Sequence, residues 1–261
     1  MATSMNQITI LGSGTGVPSL KRRACSVLVQ TEHSNILLDC GPGCIHRLLE
    51  IGLTVHEITH ILVTHTHPDH TSDLIPLWFA TKYFDQGMRQ HLLTCIGTKT
   101  FWNWAQQIKT AYNPWLNLSD TVERFIELNS EQPDECAFEE MLVYSRPMNH
   151  LKTISIAYKL LFRSSGKTLV YSGDTDWTPE LIELSLNADM LICESSLPDV
   201  FKVSGHLTPS LAGQIATQAN VKTLVLTHLY PQCDQIDIVN ECRKTYQGHL
   251  IIAEDHMKLT L

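Results

Sequence analysis

The sequence has no run of about 18 consecutive apolar residues, which is the length that a membrane-spanning helix requires. Residues 1–6 lack the positively charged start and the following apolar run of a secretory leader. The eight cysteines form no CxxC pair, so neither a zinc knuckle nor a disulfide framework is indicated. These absences predict free thiols, no membrane partner and a reduced, cytoplasmic setting.

Basic residues are scarce, since acidic residues outnumber lysine and arginine by 27 to 19 and the formal net charge is −8. Non-specific binding to nucleic acid depends on lysine and arginine neutralising phosphates. The charge balance therefore argues against an extended nucleic-acid surface. Lys21, Arg22 and Arg23 form the only compact basic cluster in the sequence, and we predict a solvated turn there rather than a ligand clamp.

Strand-like and helix-like segments alternate, and no linker rich in serine, proline or glycine divides them, so we predict a single α/β domain over residues 1–261. Short apolar runs predict strands at residues 7–11, 24–30, 35–39, 58–64, 92–96, 154–162, 168–172, 190–193, 223–227 and 249–253. Helical periodicity predicts helices at residues 45–51, 73–83, 178–186, 209–219 and 236–246. The aromatic-rich residues 101–115 fit either an amphipathic helix packed on a sheet or an aromatic wall of a substrate pocket.

The segment THTHPDH at residues 64–70 places three imidazoles and one carboxylate directly after a predicted buried strand. Crowding these groups without a metal would bring potential charges together at a cost in free energy, which metal coordination offsets. In an extended chain His65 and His67 project to the same side, so they can share one ion. Asp69 and His70 follow in the turn and can face a second ion. The segment therefore predicts a metal site.

Three further metal-capable residues, His150, Asp174 and His228, each follow an apolar strand-like run. Alone, each has an ordinary structural explanation: His150 as a loop residue, Asp174 as a turn former, and His228 as a helix cap or surface residue. Loops that follow strands collect at one edge of an α/β sheet, so the repeated placement indicates convergence on the histidine cluster. The predicted metal ligands are His65, His67, Asp69, His70, His150, Asp174 and His228.

The His-x-His-x-Asp-His motif, the SGDT at residues 172–175 and the LTH at residues 226–228 resemble the metallo-β-lactamase superfamily. Further segments resemble the ribonuclease Z-like branch of that superfamily. They are GSGTG at residues 12–16 with Pro18, LDCG at residues 38–41, ESS at residues 194–196, HLT at residues 206–208 and AED at residues 253–255. The resemblance spans nearly the whole chain.

The resemblance implies a four-layer αββα sandwich, in which two mixed β-sheets pack face to face, helices lie outside and metals bind at one edge. It implies that one ion is held by His65, His67 and His150, and the other by Asp69, His70 and His228. Asp174 would bridge the two ions. Zinc is the expected metal, although manganese or iron suits the same nitrogen and oxygen ligands. The resemblance also implies a homodimer.

The expected activity is that of a binuclear hydrolase, in which two ions about 3.5–4 Å apart share a hydroxide that attacks a phosphodiester. His206 resembles the histidine of the branch that contacts the scissile phosphate, and we expect it to stabilise the transition state or to protonate the leaving oxygen. Glu194 is expected to orient His206, and Asp69 is a second candidate for proton relay. The structural alternatives are a loop residue at a helix start for His206 and a capping or salt-bridging carboxylate for Glu194.

One feature of ribonuclease Z has no counterpart in this sequence. Ribonuclease Z proper, which this chain resembles, carries a long arm between the counterparts of His150 and Asp174, and that arm grips transfer RNA. Here only the 23 residues 151–173 separate the two positions, enough for two strands and a turn. We therefore expect a small or cyclic phosphodiester, or a nucleic-acid end, as the substrate.

Two other functions fit the same residues. The metal centre could hydrolyse a lactone, thioester or β-lactam bond, although the HLT at residues 206–208 together with Glu194 favours phosphorus. The fold could instead serve a binding or carrier protein without catalysis. Metal content without turnover of any ester would identify that second alternative.

Overall fold

Fourteen strands form two mixed sheets in the computed structural model, which describes residues 6–83, 89 and 91–261. The first five residues, which belong to the segment predicted not to be a leader, lie outside the described residues. The first sheet contains β1 (Gln7–Gly12), β2 (Ser26–Gln30), β3 (Asn35–Leu38), β4 (His60–Leu62), β5 (Leu93–Thr98), β6 (Glu123–Leu128) and β14 (Lys258–Thr260). The second contains β7 (Asp134–Ala137), β8 (Met141–His150), β9 (Thr153–Phe162), β10 (Thr168–Tyr171), β11 (Met190–Glu194), β12 (Thr223–Thr227) and β13 (His249–Ile252).

The strand order determines which loops meet. It is β14-β1-β2-β3-β4-β5-β6 in the first sheet and β13-β12-β11-β10-β9-β8-β7 in the second. Strands β3 to β6 run parallel to one another, as do β10 to β13, and the remaining pairs are antiparallel. The carboxyl ends of the parallel strands therefore share one edge of each sheet, where ligand sites of α/β proteins form.

Helices cover the outer faces of both sheets. They are α1 (Cys44–Glu50), α2 (Pro68–Thr71), α3 (Leu74–Tyr83), α4 (Lys99–Ala111), α5 (Pro179–Leu184), α6 (Pro209–Gln218) and α7 (Ile238–Arg243). Short 3₁₀ turns lie at Val55–Glu57, Asp199–Phe201 and Pro231–Asp234. These bounds agree with the predicted helices to within a few residues, and α2 is an additional turn ahead of the predicted helix at residues 73–83.

The hydrophobic core has three layers, because successive side chains of a strand point to opposite faces. In β2, Val27 and Val29 pack between the two sheets, whereas Leu28 packs against the helices outside the first sheet. Val170 of β10 packs in the corresponding layer outside the second sheet, which also contains Leu181 of α5. The predicted αββα sandwich is confirmed.

The aromatic segment at residues 101–115 forms the greater part of an amphipathic helix on the first sheet. Phe101 and Ala105 of α4 are buried in the outer layer. Trp102 is 37% exposed, and its ring meets Phe125 of β6 edge to face at 4.5 Å between centroids. Thr98 precedes the helix and its side chain accepts a hydrogen bond from the Phe101 amide at 3.4 Å. These contacts support the helix-packing interpretation.

Strand β8 corresponds to the strand-like run expected before His150, whereas three strands, β6, β7 and β14, are absent from the sequence prediction. All three lie at sheet edges, where a strand has one hydrogen-bonded neighbour instead of two. The sequences DECA and KLT of β7 and β14 are accordingly only partly buried. A strand with so little apolar burial gives no strong hydrophobic pattern, so sequence alone does not find it.

Tyr158 of β9 connects the two sheets next to the histidine segment. Its buried hydroxyl donates to the carbonyl of Val63 at 2.7 Å and lies 3.3 Å from that of Ile96. Tyr158→Phe removes the donor and leaves the acceptors buried, so the free energy of unfolding is expected to fall by about 1–2 kcal/mol in urea titrations. Tyr112→Phe, at a residue that is 45% exposed, is the control. An equal, negligible change in the free energy of unfolding of both variants would show that the hydroxyl of Tyr158 does not stabilise the contact between the sheets.

Two further observations concern cysteines and membranes. All eight cysteines are free, and seven of them are buried. Among the described residues, no helix is both long enough and apolar enough to span a lipid bilayer.

Candidate metal centre

Side chains that follow strands of both sheets meet at one edge of the sandwich. His65 lies beyond the end of β4 in the first sheet, whereas Asp174 lies beyond β10 and His228 beyond β12 in the second. His150 is the last residue of β8. Pro68 is the first residue of α2, where its fixed φ suits the start of a helix. It turns the chain directly after His67, so the remaining motif residues also reach the cluster.

Four residues form the first group. Ligand-capable atoms of His65, His67, His150 and Asp174 all lie within 4.8 Å of one another. Nε2 of His150 is 3.3 Å from Nδ1 of His67. Oδ2 of Asp174 is 3.7 Å from Nε2 of His65 and 3.9 Å from Nε2 of His150. Such an arrangement gives three nitrogens and one oxygen around a common centre.

The second group contains Asp69, His70 and His228, whose ligand-capable atoms also lie within 4.8 Å of one another. Nε2 of His228 is 3.4 Å from Oδ2 of Asp69 and 3.4 Å from Nε2 of His70. Oδ1 of Asp174 is 3.3 Å from Nε2 of His70 and 3.4 Å from Nε2 of His228. One oxygen of Asp174 therefore faces each group, and the structure brings all seven predicted ligands together.

The state of these donors fits a divalent metal. Nε2 of His65 and Oδ1 of Asp174 are buried without a hydrogen-bond partner among the described residues. Burial lowers the pKa of His65 well below its ordinary value, and neighbouring His70 lowers it further. Burial favours the neutral form of Asp174, but the charges of His228 and His70 outweigh it and hold its pKa well below the usual range. A neutral imidazole and an ionised carboxylate are the forms that bind metals.

His70 shows that the centre attracts positive charge. Burial lowers the pKa of His70, but the carboxylates of Asp174 and Asp39 outweigh this effect and raise the pKa well above its ordinary value. Nδ1 of His70 lies 2.7 Å from Asp39, and Nε2 lies 3.3 Å from Asp174. The two carboxylates thus favour positive charge at His70. A divalent ion at Nε2 can supply that charge in place of a proton.

The ring nitrogens that face away from the centre have hydrogen-bond partners. Nδ1 of His65 is 3.0 Å from the hydroxyl of Thr64, and Nδ1 of His150 is 2.7 Å from the carbonyl of Gly205. His67 has the opposite orientation, with Nε2 3.2 Å from the hydroxyl of Thr153 and Nδ1 toward His150. Partners of this kind fix the ring orientation and tautomer of histidines that bind metals.

Asp39, which follows β3, was not among the predicted site residues. It is fully buried, has φ of +58°, and accepts hydrogen bonds from the amide and hydroxyl of Thr64 at 2.8 and 2.9 Å. It also accepts from the hydroxyl of Tyr171 at 2.9 Å and lies 2.7 Å from Nδ1 of His70. A carboxylate at the end of a predicted strand is the same signal that identifies Asp174, and it could have identified Asp39.

His206 and Glu194 lie beside the second group. Glu194, the last residue of β11, is buried, and its Oε1 is 3.0 Å from Nδ1 of His206. The ring of His206 stacks on that of His228, with centroids 5.7 Å apart and planes at 12°. Burial lowers the pKa of His206, but the hydrogen bond to Glu194 and its charge outweigh burial and raise the pKa to about 9. The predicted pair is thus in contact and adjacent to the metal-capable cluster.

Two glycines permit the close approach of the chains that carry the donors. A Cβ on Gly41 would lie 2.1 Å from the backbone oxygen of Asp69, which no side chain can tolerate. Gly173 has φ of +56°, and a Cβ there would lie 2.7 Å from Cβ of Thr64. Any larger residue would therefore separate the strand ends that meet at the centre.

The structure corrects the prediction made for the basic cluster of Lys21, Arg22 and Arg23. Arg22 is only 5% exposed, and its Nη1 donates to the carbonyl of Ala253 at 2.6 Å and to Ser13 at 2.8 Å. Its Nη2 donates to Asp234 at 2.9 Å. The prediction of a solvated turn is wrong for Arg22, because the fold buries it against Ala253 and Asp234, more than 200 residues away in sequence, and against Ser13 of the glycine-rich loop at residues 12–16. That loop also contacts the centre, since the amide of Gly16 donates to Asp69 at 2.9 Å.

A known protein family matches most of this chain. Residues 6–232 match the family described as Anti-Pycsar protein Apyc1. The chain belongs to the Anti-Pycsar protein Apyc1 family. The matched residues include every predicted metal ligand, together with Glu194 and His206.

Relatives of this Apyc1-family chain cover nearly its whole length. Ribonuclease Z of Saccharolobus islandicus is 30% identical over 98% of this chain and 100% of its own length. The crystal structure of human tRNase Z, short form (ELAC1), is 25% identical, covers 97% of this chain and 98% of that one, and has a TM-score of 0.77. The metallo-β-lactamase fold protein YhfI from Bacillus subtilis is 22% identical, covers 99% and 100%, and has a TM-score of 0.83.

This Apyc1-family protein is therefore a ribonuclease Z-like member of the metallo-β-lactamase superfamily, as its motifs indicated. It is a metal-dependent hydrolase that acts on phosphodiesters, and it uses divalent metal. These relatives do not favour the alternative activity, hydrolysis of lactones, thioesters or β-lactams.

Proposed function

We propose that the protein uses two divalent ions, with zinc as the resident metal, to hydrolyse small or cyclic phosphodiesters. One ion is held by His65, His67 and His150, and the other by Asp69, His70 and His228. The observation that carries the proposal is the position of Asp174, whose two carboxylate oxygens each lie within 4 Å of histidines of a different group. A carboxylate placed in this way suits a bridging ligand.

The residues divide the chemistry with the metals. When bound, the two ions supply a nucleophile derived from water at neutral pH and neutralise charge that develops on the phosphate. The protein binds and orients the phosphate at the partly exposed side of the centre, where Asp69 and His206 retain 16% and 17% of their side-chain surface. His206 donates a hydrogen bond or a proton to a substrate oxygen, and Glu194 holds its ring in position.

The preference for small substrates is supported by the hairpins next to the centre. All of the residues between His150 and Asp174 belong to β9, β10 and their tight connections. The hydroxyl of Thr153, which follows the first of these turns, already contacts His67. No arm extends from this part of the described chain to grip a large RNA, and the net charge of −8 disfavours a long polyanion.

Two further properties belong to the proposal. We expect a homodimer, and a cytoplasmic location in keeping with the eight free thiols. A nucleic-acid end remains within the substrate class, because a terminal phosphodiester needs no extended surface.

Turnover of bis-p-nitrophenyl phosphate, a chromogenic lactone and a chromogenic β-lactam by zinc-loaded protein tests the proposal. We expect cleavage of the diester alone, loss of activity after chelation, and recovery on adding Zn²⁺ or Mn²⁺, because the metal centre supplies the nucleophile. Among natural diesters, kcat/KM should be higher for 3′,5′-cyclic nucleotides than for a 3′-extended transfer RNA.

Other outcomes would change the proposal. Cleavage of only the carboxyl substrates would contradict the phosphodiesterase assignment and leave His206 a structural residue. A higher kcat/KM for transfer RNA would refute the preference for small substrates. Bound metal without turnover of any ester would indicate a binding role.

A further inference from the structure

Ser196 contacts three residues that the proposed chemistry requires. It is fully buried two residues after the end of β11. Its Oγ is 2.8 Å from Oε2 of Glu194, 2.9 Å from Nδ1 of His228 and 3.0 Å from Nδ1 of His206. A single hydroxyl thus lies between one carboxylate and two imidazoles.

The hydrogen-bonding capacity of these groups determines which atoms donate the hydrogen bonds to and from Ser196. A serine hydroxyl has one proton and two lone pairs, and an ionised carboxylate only accepts. The proton of Ser196 therefore points to Glu194, which leaves two lone pairs for two donors. Both Nδ1 atoms must then carry hydrogen, those of His206 and His228. Nδ1–H of His206 is shared with Oε1 of Glu194, 3.0 Å away.

We propose that Ser196 is a positioning residue that fixes His228 with hydrogen on Nδ1, so that the lone pair of Nε2 is available to the second metal ion. This inference rests on the proposed function, because His228 is a ligand in that proposal. Nε2 of His228 is the atom that lies 3.4 Å from both Asp69 and Asp174. Through Ser196, the carboxylate of Glu194 orders the metal ligand as well as His206.

The two histidines depend on Ser196 to different degrees. Among the described residues, Ser196 Oγ is the only hydrogen-bond partner of His228 Nδ1, whereas His206 Nδ1 keeps its contact with Glu194 when the hydroxyl is removed. Loss of the hydroxyl should consequently weaken metal binding at the second group and leave His206 in position. A serine that served only for packing would show no such selectivity.

The adjacent Ser195 supplies a matched control. It is also fully buried, but its Oγ has no hydrogen-bond partner among the described residues. Ser195→Ala and Ser196→Ala therefore remove the same atom from neighbouring buried positions, one without and one with contacts to the centre. Ser196→Thr keeps the hydroxyl and tests rescue.

The experiment measures Zn²⁺ affinity of the three variants and the natural protein by competition with a chromogenic chelator, with thermal unfolding of the metal-free proteins as a folding check. Partners of metal-binding histidines are typically worth a factor of about 10–100 in metal affinity. We expect a loss of that size for one of the two ions, that of the second group, in Ser196→Ala, recovery in Ser196→Thr, and no change in Ser195→Ala. Excess Zn²⁺ should restore most of the diesterase kcat of Ser196→Ala.

Equal Zn²⁺ affinity of Ser196→Ala and Ser195→Ala would overturn the inference. If Ser196→Thr does not fold, the comparison of the two alanine variants still decides it. The affinity measurement needs no substrate. If Ser196→Ala loses zinc affinity while the natural protein cleaves no diester, the result would contradict the proposed function and leave the role of Ser196 intact.

Discussion

Replacing Asp174 with alanine is expected to reduce diesterase turnover by at least about 10³-fold and to release at least one of the two proposed ions. The carboxylate faces both groups, with its oxygens 3.3 Å from Nε2 of His70 and 3.7 Å from Nε2 of His65. Metal stabilisation of the transition state is worth several kcal/mol, and each 1.36 kcal/mol corresponds to about a factor of ten in rate. Initial rates and metal content by mass spectrometry measure the two effects.

The removal of Asp174 should also change stability in a metal-dependent way. The natural protein is expected to gain thermal stability on adding Zn²⁺, because an ion that binds only the folded state stabilises it. Asp174→Ala should lose most of that gain. Asp189→Ala is the control, since Asp189 lies at the other end of β11 and pairs with Lys167 and Lys222. Full zinc content and normal turnover in Asp174→Ala would refute the shared-ligand assignment.

The sequence predicts much of the site because the ligands follow strands. The motif at residues 64–70 and the strand-end positions of Asp174 and His228 are visible as local patterns, and parallel strands bring their carboxyl ends to one edge. The sandwich itself came from the resemblance of these motifs. Its edge strands β6, β7 and β14 were missed, since a strand with one neighbour and little burial lacks a clear apolar pattern.

Contacts over long sequence distances could not be predicted in the same way. Arg22 reads as a surface residue until Asp234 and Ala253 are brought to it by the fold. Asp39 and His228 both have positive φ, at +58° and +57°. Residues other than glycine seldom adopt this backbone conformation, and no local sequence pattern predicts it. Their strain is held by the surrounding hydrogen bonds, as is common at functional sites.

His206→Ala separates catalysis from metal binding, and we expect kcat to fall by about 10²-fold or more while both ions remain bound. The estimate is the usual contribution of one acid–base group. His206 contacts Glu194 and Ser196 through Nδ1, its ring stacks on that of His228, and its Nδ1 lies 4.0 Å from Oδ2 of Asp174. Its removal should therefore leave the ligands of both groups in place, in contrast to the removal of Asp174.

The decisive measurement for His206→Ala is kcat together with metal content, and the two must be read jointly. His249→Ala is the matched control, because His249 is an exposed histidine at the start of β13, away from the carboxyl edge. A loss of rate accompanied by loss of metal would make His206 a ligand of the second group, with which it also forms a metal-capable set through Asp174 and His228. An unchanged rate with both ions bound would remove His206 from the mechanism, and Glu194 would then act only through Ser196 on His228.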